Sequence, residues 1–247
     1  MWDDAQRMNA TAAGLGLLAA LLLLAGGLAW MVRQPMFAVQ EVVIRGPLQR
    51  VNPGHLEAVV RNELSGTFFT MNLDRSRDAL GTVPWVRKVA LRRQWPRRLE
   101  VTIEEHTPLA RWNETGLVNV EGEGFVADYD GELPQFSGPE GRSVEIAGRY
   151  REWGAALHAL GLTVQELRLS PRGAWRLVAA SGGAALEIEM GRDEPGVRLA
   201  RFIAAYGRTI AVLGRGGTRI DHVDLRYRNG FAARVPGFKE RPAKKAA

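Results

Sequence analysis

Chemistry in this chain would have to come from histidines and carboxylates, because its 247 residues include no cysteine. That absence removes thiolate metal sites, a cysteine nucleophile and a disulfide framework. The four histidines, His55, His106, His158 and His222, lie far apart. None has a second histidine at the i+2, i+3 or i+4 spacing that zinc motifs use, so a surface or structural role suits each of them. Asp128 and Asp130 bracket Tyr129 ahead of Gly131, a spacing open to a cation or a hydrolytic carboxylate pair. Asp-Gly after a strand, however, is the chemistry of a turn. No Gly-x-Ser-x-Gly elbow, P-loop or dinucleotide fingerprint occurs, and Gly214-Arg215-Gly216-Gly217 follows a helical pattern instead of opening one. The residues point away from an enzyme and imply no catalytic group, no metal, no cofactor and no small-molecule substrate.

Binding is the remaining class, and charge is its first clue. The formal net charge is +6, which fits nucleic acid, an anionic membrane surface or an arginine-rich composition equally well. The densest basic cluster is Arg87, Lys88, Arg92, Arg93, Arg97 and Arg98. Lys88 and Arg92 fall on one face of a predicted strand, with Glu100 and Glu104 on the outer face of the next. Cross-strand pairing then absorbs much of the charge, and no nucleic-acid partner is expected.

The elements that position these residues begin with an uncharged run, Thr11 to Val32. At 1.5 Å per residue it reaches about 33 Å, enough for a hydrocarbon core of roughly 30 Å. It is read as a transmembrane helix over 12–32 behind a short tail, 1–11. A cleaved signal peptide is the competing assignment; its apolar core is shorter and its start more basic than one carrying Asp3 and Asp4 against Arg7. Arg33, Arg45 and Arg50 follow the span, so the positive-inside rule alone does not favour a cytoplasmic N-terminus. Trp30 suits an interfacial anchor.

After Pro35 the pattern predicts a strand over Phe37–Gly46, a helix capped by Asn52-Pro53, and a second helix from Asn72 or Asp74 to Gly81. A hairpin follows, Val86–Gln94 and Arg97–Glu105, making strand, helix, helix, strand, strand in one small domain. Beyond Pro108, Leu109–Trp112, Gly116–Val120, Gly124–Asp128 and Leu133–Phe136 read as a meander. Next come a helix over Val144–Leu160 and strands at Val164–Leu169, Trp175–Ala180 and Ala185–Met190. A helix over Pro195–Leu213 leads to strands at His222–Tyr227 and Phe231–Val235, joined by a tight turn at Asn229-Gly230. The basic end is expected to be disordered.

Several motifs in this order resemble the FtsQ/DivIB cell-division family. Phe37-x-Val39-x-x-Val42-x-Ile44-x-Gly46 is similar to the opening of its POTRA (polypeptide-transport-associated) domain. Pro84-Trp85-Val86-x-x-Val89, Arg93-x-Trp95-Pro96-x-x-Leu99-x-Val101 and Glu104-Glu105-x-x-Pro108-x-Ala110-x-Trp112 are similar to its close. Near the C-terminus, Met190-Gly191-Arg192, Leu199-Ala200-Arg201-Phe202 and Val223-Asp224-Leu225-Arg226-Tyr227-x-Asn229-Gly230-Phe231-Ala232 also resemble the family. The resemblance implies an α+β protein: one N-terminal transmembrane helix, a POTRA domain (β-α-α-β-β) over 36–106, and a mixed β domain with two flanking helices over 107–236, then a tail over 237–247. It implies a cytoplasmic N-terminus, periplasmic domains at the septum, and a divisome scaffold that helps control septal peptidoglycan synthesis. The alternative is another POTRA-containing protein of transport or outer-membrane assembly.

The implied partners are FtsB and FtsL, with other divisome proteins, and the implied mode is addition of a partner strand to the last strand of the β domain. Phe231, Ala232, Ala233, Arg234 and Val235 would form that edge. Arg226 and Tyr227 match family contact positions, Arg226 facing an acidic side chain. Arg172 falls near another contact arginine, in an alignment that Gly173 leaves open by one residue. By residue type alone, Tyr227 reads as core packing and the arginines as solubility. Tyr227→Ala or Phe231→Lys is expected to abolish partner capture without unfolding the domain.

Overall fold

The computed structural model describes residues 5–64, 66–208 and 220–236. It divides the chain into two compact units, Met1–His106 and Thr107–Ala247. The expected end of the helix beyond residue 208, the Gly214–Gly217 loop and the basic tail over 237–247 lie outside the described residues.

Unit 1 opens with helix α1, Ala5–Val32. Its side chains are exposed from Met8 to Met31. An apolar helix with no protein packed on it needs lipid as its solvent, and the length matches a span. A 3-10 turn at Pro35–Phe37 follows, and the first strand is shorter than expected: β1 is Glu41–Arg45. Pro35 sets the turn, in which Phe37 donates to the Gln34 carbonyl and Ala38 to that of Pro35, both at 3.0 Å. Ala38 then makes one bridge to Thr67. Thr67 Oγ1 donates to the Val32 carbonyl at 2.8 Å, and the Phe68 amide to the Phe37 carbonyl at 2.7 Å. The loop at 67–70 is thereby tied to the end of α1. Gly46 ends β1 at φ +128, where a Cβ would sit 2.2 Å from the Ile103 carbonyl oxygen, so only glycine fits.

Helix α2, Pro53–Glu63, starts where the Asn52 side chain accepts from the amides of Gly54 and His55. Helix α3, Leu73–Gly81, starts likewise at Asn72, whose Oδ1 accepts from Asp74 and Arg75 at 3.1 Å. Strands β2 (Val86–Gln94) and β3 (Arg98–Glu105) form the hairpin. The sheet order is β1-β3-β2, with β1 parallel and β2 antiparallel to β3. Leu99, Val101 and Ile103 of β3 are buried, as are Leu56 of α2 and Leu80 of α3.

On the outer face the register sets Lys88 opposite Glu104 and Arg92 opposite Glu100. The ion pairs go one step aside: Arg87 takes Glu104, and Arg45 reaches Glu100 at 2.6 Å. Because β3 is central, its carboxylates draw cations from both neighbouring strands. Glu105 serves the backbone instead, its Oε1 accepting from the amides of Gln49, Arg50 and Val51 at 3.0, 3.0 and 2.8 Å.

Unit 2 contains β4 (Pro108–Trp112), β5 (Gly116–Asn119), β6 (Gly124–Phe125), β7 (Gln135–Ser137), α4 (Ser143–His158), β8 (Thr163–Leu169), β9 (Trp175–Ser181) and β10 (Ala184–Gly191). Helix α5 (Pro195–Tyr206), β11 (His222–Asp224) and β12 (Ala232–Arg234) follow among the described residues. The strands make one sheet in the order β12-β11-β10-β9-β8-β7-β4-β5-β6. The meander reading holds only for β4, β5 and β6. β7 leaves it to lie parallel to both β4 and β8. The stretch around Asp128 and Asp130 is an irregular connection instead of a turn, held where Arg111 Nη2 donates to the carbonyls of Tyr129 and Gly131.

One sheet face carries Phe136, Leu167, Leu177, Ile188 and Val223, all buried. They form one cluster with Ile146, Trp153 and Leu157 of α4 and Leu199 and Phe202 of α5. The crossover through α5 brings β11 in parallel to β10. The tight turn expected at Asn229-Gly230 is replaced by a longer connection over 225–231. Tertiary contacts override the local preference. Leu225 is buried and donates to the Glu189 carbonyl at 2.8 Å, and Arg201 Nη1 donates to the Arg228 carbonyl at 2.7 Å.

Glu105→Ala strands three amides and is expected to lower the stability of unit 1 by about 2 kcal/mol in a denaturant titration. Glu57→Ala, which removes an exposed pair with Arg61, should cost less than about 0.5 kcal/mol.

Candidate partner-binding edge

β12 is the terminal strand of its sheet. Among the described residues it pairs with β11 alone, in the register His222 to Arg234, Val223 to Ala233 and Asp224 to Ala232. Ala232, Ala233 and Arg234 are exposed and Val235 is half-buried. Phe231, just before the strand, sets its ring edge-on to Phe202 at 5.6 Å and belongs to the rim of the core. The expectation that Phe231→Lys would leave the domain intact is therefore corrected: the ring fixes the edge to the core, and a charge there would loosen the strand itself.

Tyr227 is the reverse case. Residue type suggested packing, yet the side chain is 57% exposed, because the connection carries it past the buried Leu225 and out of the sheet. An exposed ring with a phenol suits an interface more than an isolated surface position.

Arg226 folds back on the strand it has just left. Its Nε and Nη2 grip the two carboxylate oxygens of Asp224 at 2.9 and 2.8 Å, and Nη2 lies 3.1 Å from Glu189. The guanidinium is thus a positioned group, matched by two acids before any partner arrives. Arg226 holds the Asp224 carboxyl below its ordinary range through that hydrogen bond, which outweighs the opposing effect of desolvation. Arg226 is raised by the same contact. Arg234 makes an equivalent two-toothed pair with Asp221, at 2.8 and 3.0 Å, which lowers the Asp221 carboxyl.

Arg172 is exposed in the turn between β8 and β9, where Gly173 donates to the Ser170 carbonyl at 2.9 Å. A side chain on Gly173 would touch Arg192, and one on Gly191 would touch Arg226. The turn holding Arg172 and the loop holding Arg226 therefore gather at one end of the sheet, while the side chain of Arg172 is not joined to Arg226. Sequence reasoning missed the acids and the cation between them. Glu189 faces Arg176 on one side and Asp224 on the other, and Arg176 bonds Glu187 and Glu189, both at 3.0 Å. The alternation Glu187-x-Glu189 in β10 was the available signal. A depression of about 280 Å³ opens here, lined by Arg168, Arg176, Glu189 and Arg226.

One apolar helix long enough to span among the described residues, a β-α-α-β-β unit and a mixed sheet ending in an exposed strand define a membrane-anchored binding protein. Residues 37–106 match the family model "POTRA domain, FtsQ-type", and residues 110–226 match "Cell division protein FtsQ/DivIB, C-terminal". The chain is 40% identical to the cell division protein FtsQ of Burkholderia pseudomallei, over 97% of this chain and 96% of that protein. It is 34% identical to that of Bordetella pertussis, over 99% and 100%, and 36% identical to that of Nitrosospira multiformis, over 95% and 99%. The chain belongs to the FtsQ/DivIB family of cell-division proteins, and it is a single-pass inner-membrane protein.

Acid should test the Asp224 clasp. A carboxyl whose pKa is depressed on folding contributes stability above its unfolded value, here 3.8, and loses it as pH falls through the lower folded value. The Tm of the full chain in micelles is expected to drop below about pH 4. Asp224→Asn should lower Tm at pH 7, costing about 1 kcal/mol, and weaken that acid dependence. Equal acid slopes for both proteins would refute the assignment.

Proposed function

We propose that the chain is a divisome scaffold that holds FtsB and FtsL, and that a strand of the partner adds to β12. Its N-terminus is cytoplasmic and both folded units are periplasmic, at the division septum, where the captured partners help control septal peptidoglycan synthesis. The observation that carries this reading is the terminal position of β12, an exposed strand with Tyr227 beside its entry.

Strand addition draws affinity from main-chain hydrogen bonds and specificity from alternate side chains. Ala232 and Ala233 are small enough to leave room for the residues of an incoming strand on either face. β12 is only three residues long and carries Arg234, the devices by which proteins keep an edge from pairing indiscriminately. The same devices suit an edge reserved for one partner. Tyr227 offers an aromatic anchor, and Arg226, preset by Asp224 and Glu189, offers a fixed cation at the start of the edge. Arg172 contributes from the neighbouring turn.

In a pull-down from detergent-solubilised membranes, Tyr227→Ala is expected to reduce capture of FtsB and FtsL at least about tenfold, the equivalent of 1.4 kcal/mol, with Tm unchanged. Wild-type capture by this variant would remove Tyr227 from the interface. Phe231→Lys should lose capture and Tm together. Orientation is checked by alkaline phosphatase and green fluorescent protein fused after Val235: active phosphatase with dark fluorescence is expected, and the reverse pattern would overturn the periplasmic assignment.

A further inference from the structure

Unit 1 carries an apolar surface that neither its core nor the proposed edge uses. Phe37, Phe68, Phe69 and Trp95 form a connected aromatic chain. The Phe37–Phe69 and Phe68–Phe69 ring centroids are 5.3 Å apart, and those of Phe68 and Trp95 5.9 Å. Phe69 is 50% exposed and Trp95 69% exposed. Large exposed aromatics in a contiguous group mark an interaction surface, whereas scattered ones need no explanation.

Its position selects the occupant. Thr67, next to Phe68 and Phe69, hydrogen-bonds directly to the carbonyl of Val32, the last residue of α1. The uncharged run ends at that same residue, and its length of about 33 Å nearly equals the hydrocarbon thickness of about 30 Å. Val32 therefore marks the hydrocarbon boundary. Beyond it each leaflet has roughly 5 to 7 Å of headgroup region, comparable with the ring-to-ring spacings of the cluster. Trp30, 68% exposed on the last turn of the helix, and the exposed Met36 lie at the same level of the chain. Arg33 and Arg97, both exposed, flank the group with the charge that anionic headgroups attract. Aromatic rings over a basic rim are what the membrane interface favours.

We infer that Phe68, Phe69 and Trp95, with Phe37, form a lipid-binding edge that rests in the headgroup region at the foot of the span and holds unit 1 against the bilayer. The inference rests on α1 being a membrane span, and it is independent of which side of the membrane the folded units occupy.

The chain has no native cysteine, so single-cysteine variants of the full protein carry one environment-sensitive NBD dye each. Phe69→Cys and Trp95→Cys report the edge. Leu22→Cys reports the span, and Ala90→Cys, on the outer face of β2 about 16 Å along the strand from Trp95, reports water. In nanodiscs containing anionic phospholipid, dyes at 69 and 95 are expected to be quenched severalfold more by lipid-borne nitroxides than the dye at 90, and to be shielded from iodide. Dyes at 69 and 95 that behave like the dye at 90, while 22 is quenched by lipid, would overturn the inference and leave the span standing. Shielding from iodide without lipid quenching would overturn it in favour of a protein partner or second copy. No lipid quenching at 22 would remove the span and the inference together. Since a cysteine at 69 could loosen the cluster, brominated lipids supply a second reading on intact rings: they should quench wild-type tryptophan emission more than that of Trp95→Phe, and equal quenching would count against the edge.

Discussion

The seat of Phe202 beneath the end of the nine-stranded sheet is the contact on which the exposed edge depends. This ring is fully buried on α5 and meets Tyr206 on its own helix and Phe231 at the entry to β12. α5 also packs on β10 and α4, so the same helix that closes the core delivers the chain back to the sheet for β11. Without that packing β11 and β12, three residues each, would have little to hold them, because so short a hairpin is marginal by itself. The outer face adds a layer of ion pairs, Arg176 with Glu187 and Glu189, Arg226 with Glu189 and Asp224, and Arg234 with Asp221. Exposed pairs contribute little stability singly, but here they fix the angle at which side chains leave the sheet.

The two units use charge differently. In unit 1 the central strand β3 places Glu100, Glu104 and Glu105 among arginines from both flanks and the backbone of the loop before α2. Of the basic cluster, Arg87 pairs with Glu104 and Arg98 with Glu41, while Arg93 Nη2 donates to the Met71 carbonyl; Glu100 is taken by Arg45 from outside the cluster. In unit 2 the acids and arginines alternate across neighbouring strands along one face and meet at the loop after β11. The first arrangement ties the strands of the small sheet to one another; the second presents oriented groups beside a terminal strand.

Periodic features were legible. The span, the Asn52 cap, the hairpin register that sets Lys88 against Glu104, and the two helices of the β unit follow from spacing and residue type alone, because each is decided by neighbours in the chain. What failed to show was decided at a distance. β7 looks like a fourth meander strand, yet it sits between β4 and β8. Asn229-Gly230 has the composition of a tight turn, yet Leu225, Arg226 and Phe231 each have a tertiary appointment that lengthens the connection. Phe37 reads as strand, but Pro35 draws it into a 3-10 turn. The same holds at the candidate edge: Tyr227 and Phe231 are both aromatic and four residues apart, and nothing local says that one is exposed while the other lies against Phe202. Arg226 was visible as a cation, but its grip on Asp224 and Glu189 needed the register of three strands.

The hydrogen bond between Thr67 and Val32, with the bridge from Ala38 to Thr67 and the bond from Phe68 to Phe37, has a mechanical meaning. A helix followed by a slack linker would be a tether, and its domain would turn freely beneath it. Here the segment leaving the span is clamped at both ends within a few residues, so the helix is a shaft with the three-stranded sheet keyed to its end. The end of the span and the first turn of the folded unit are thus held in one orientation by three contacts that join the two segments of the chain.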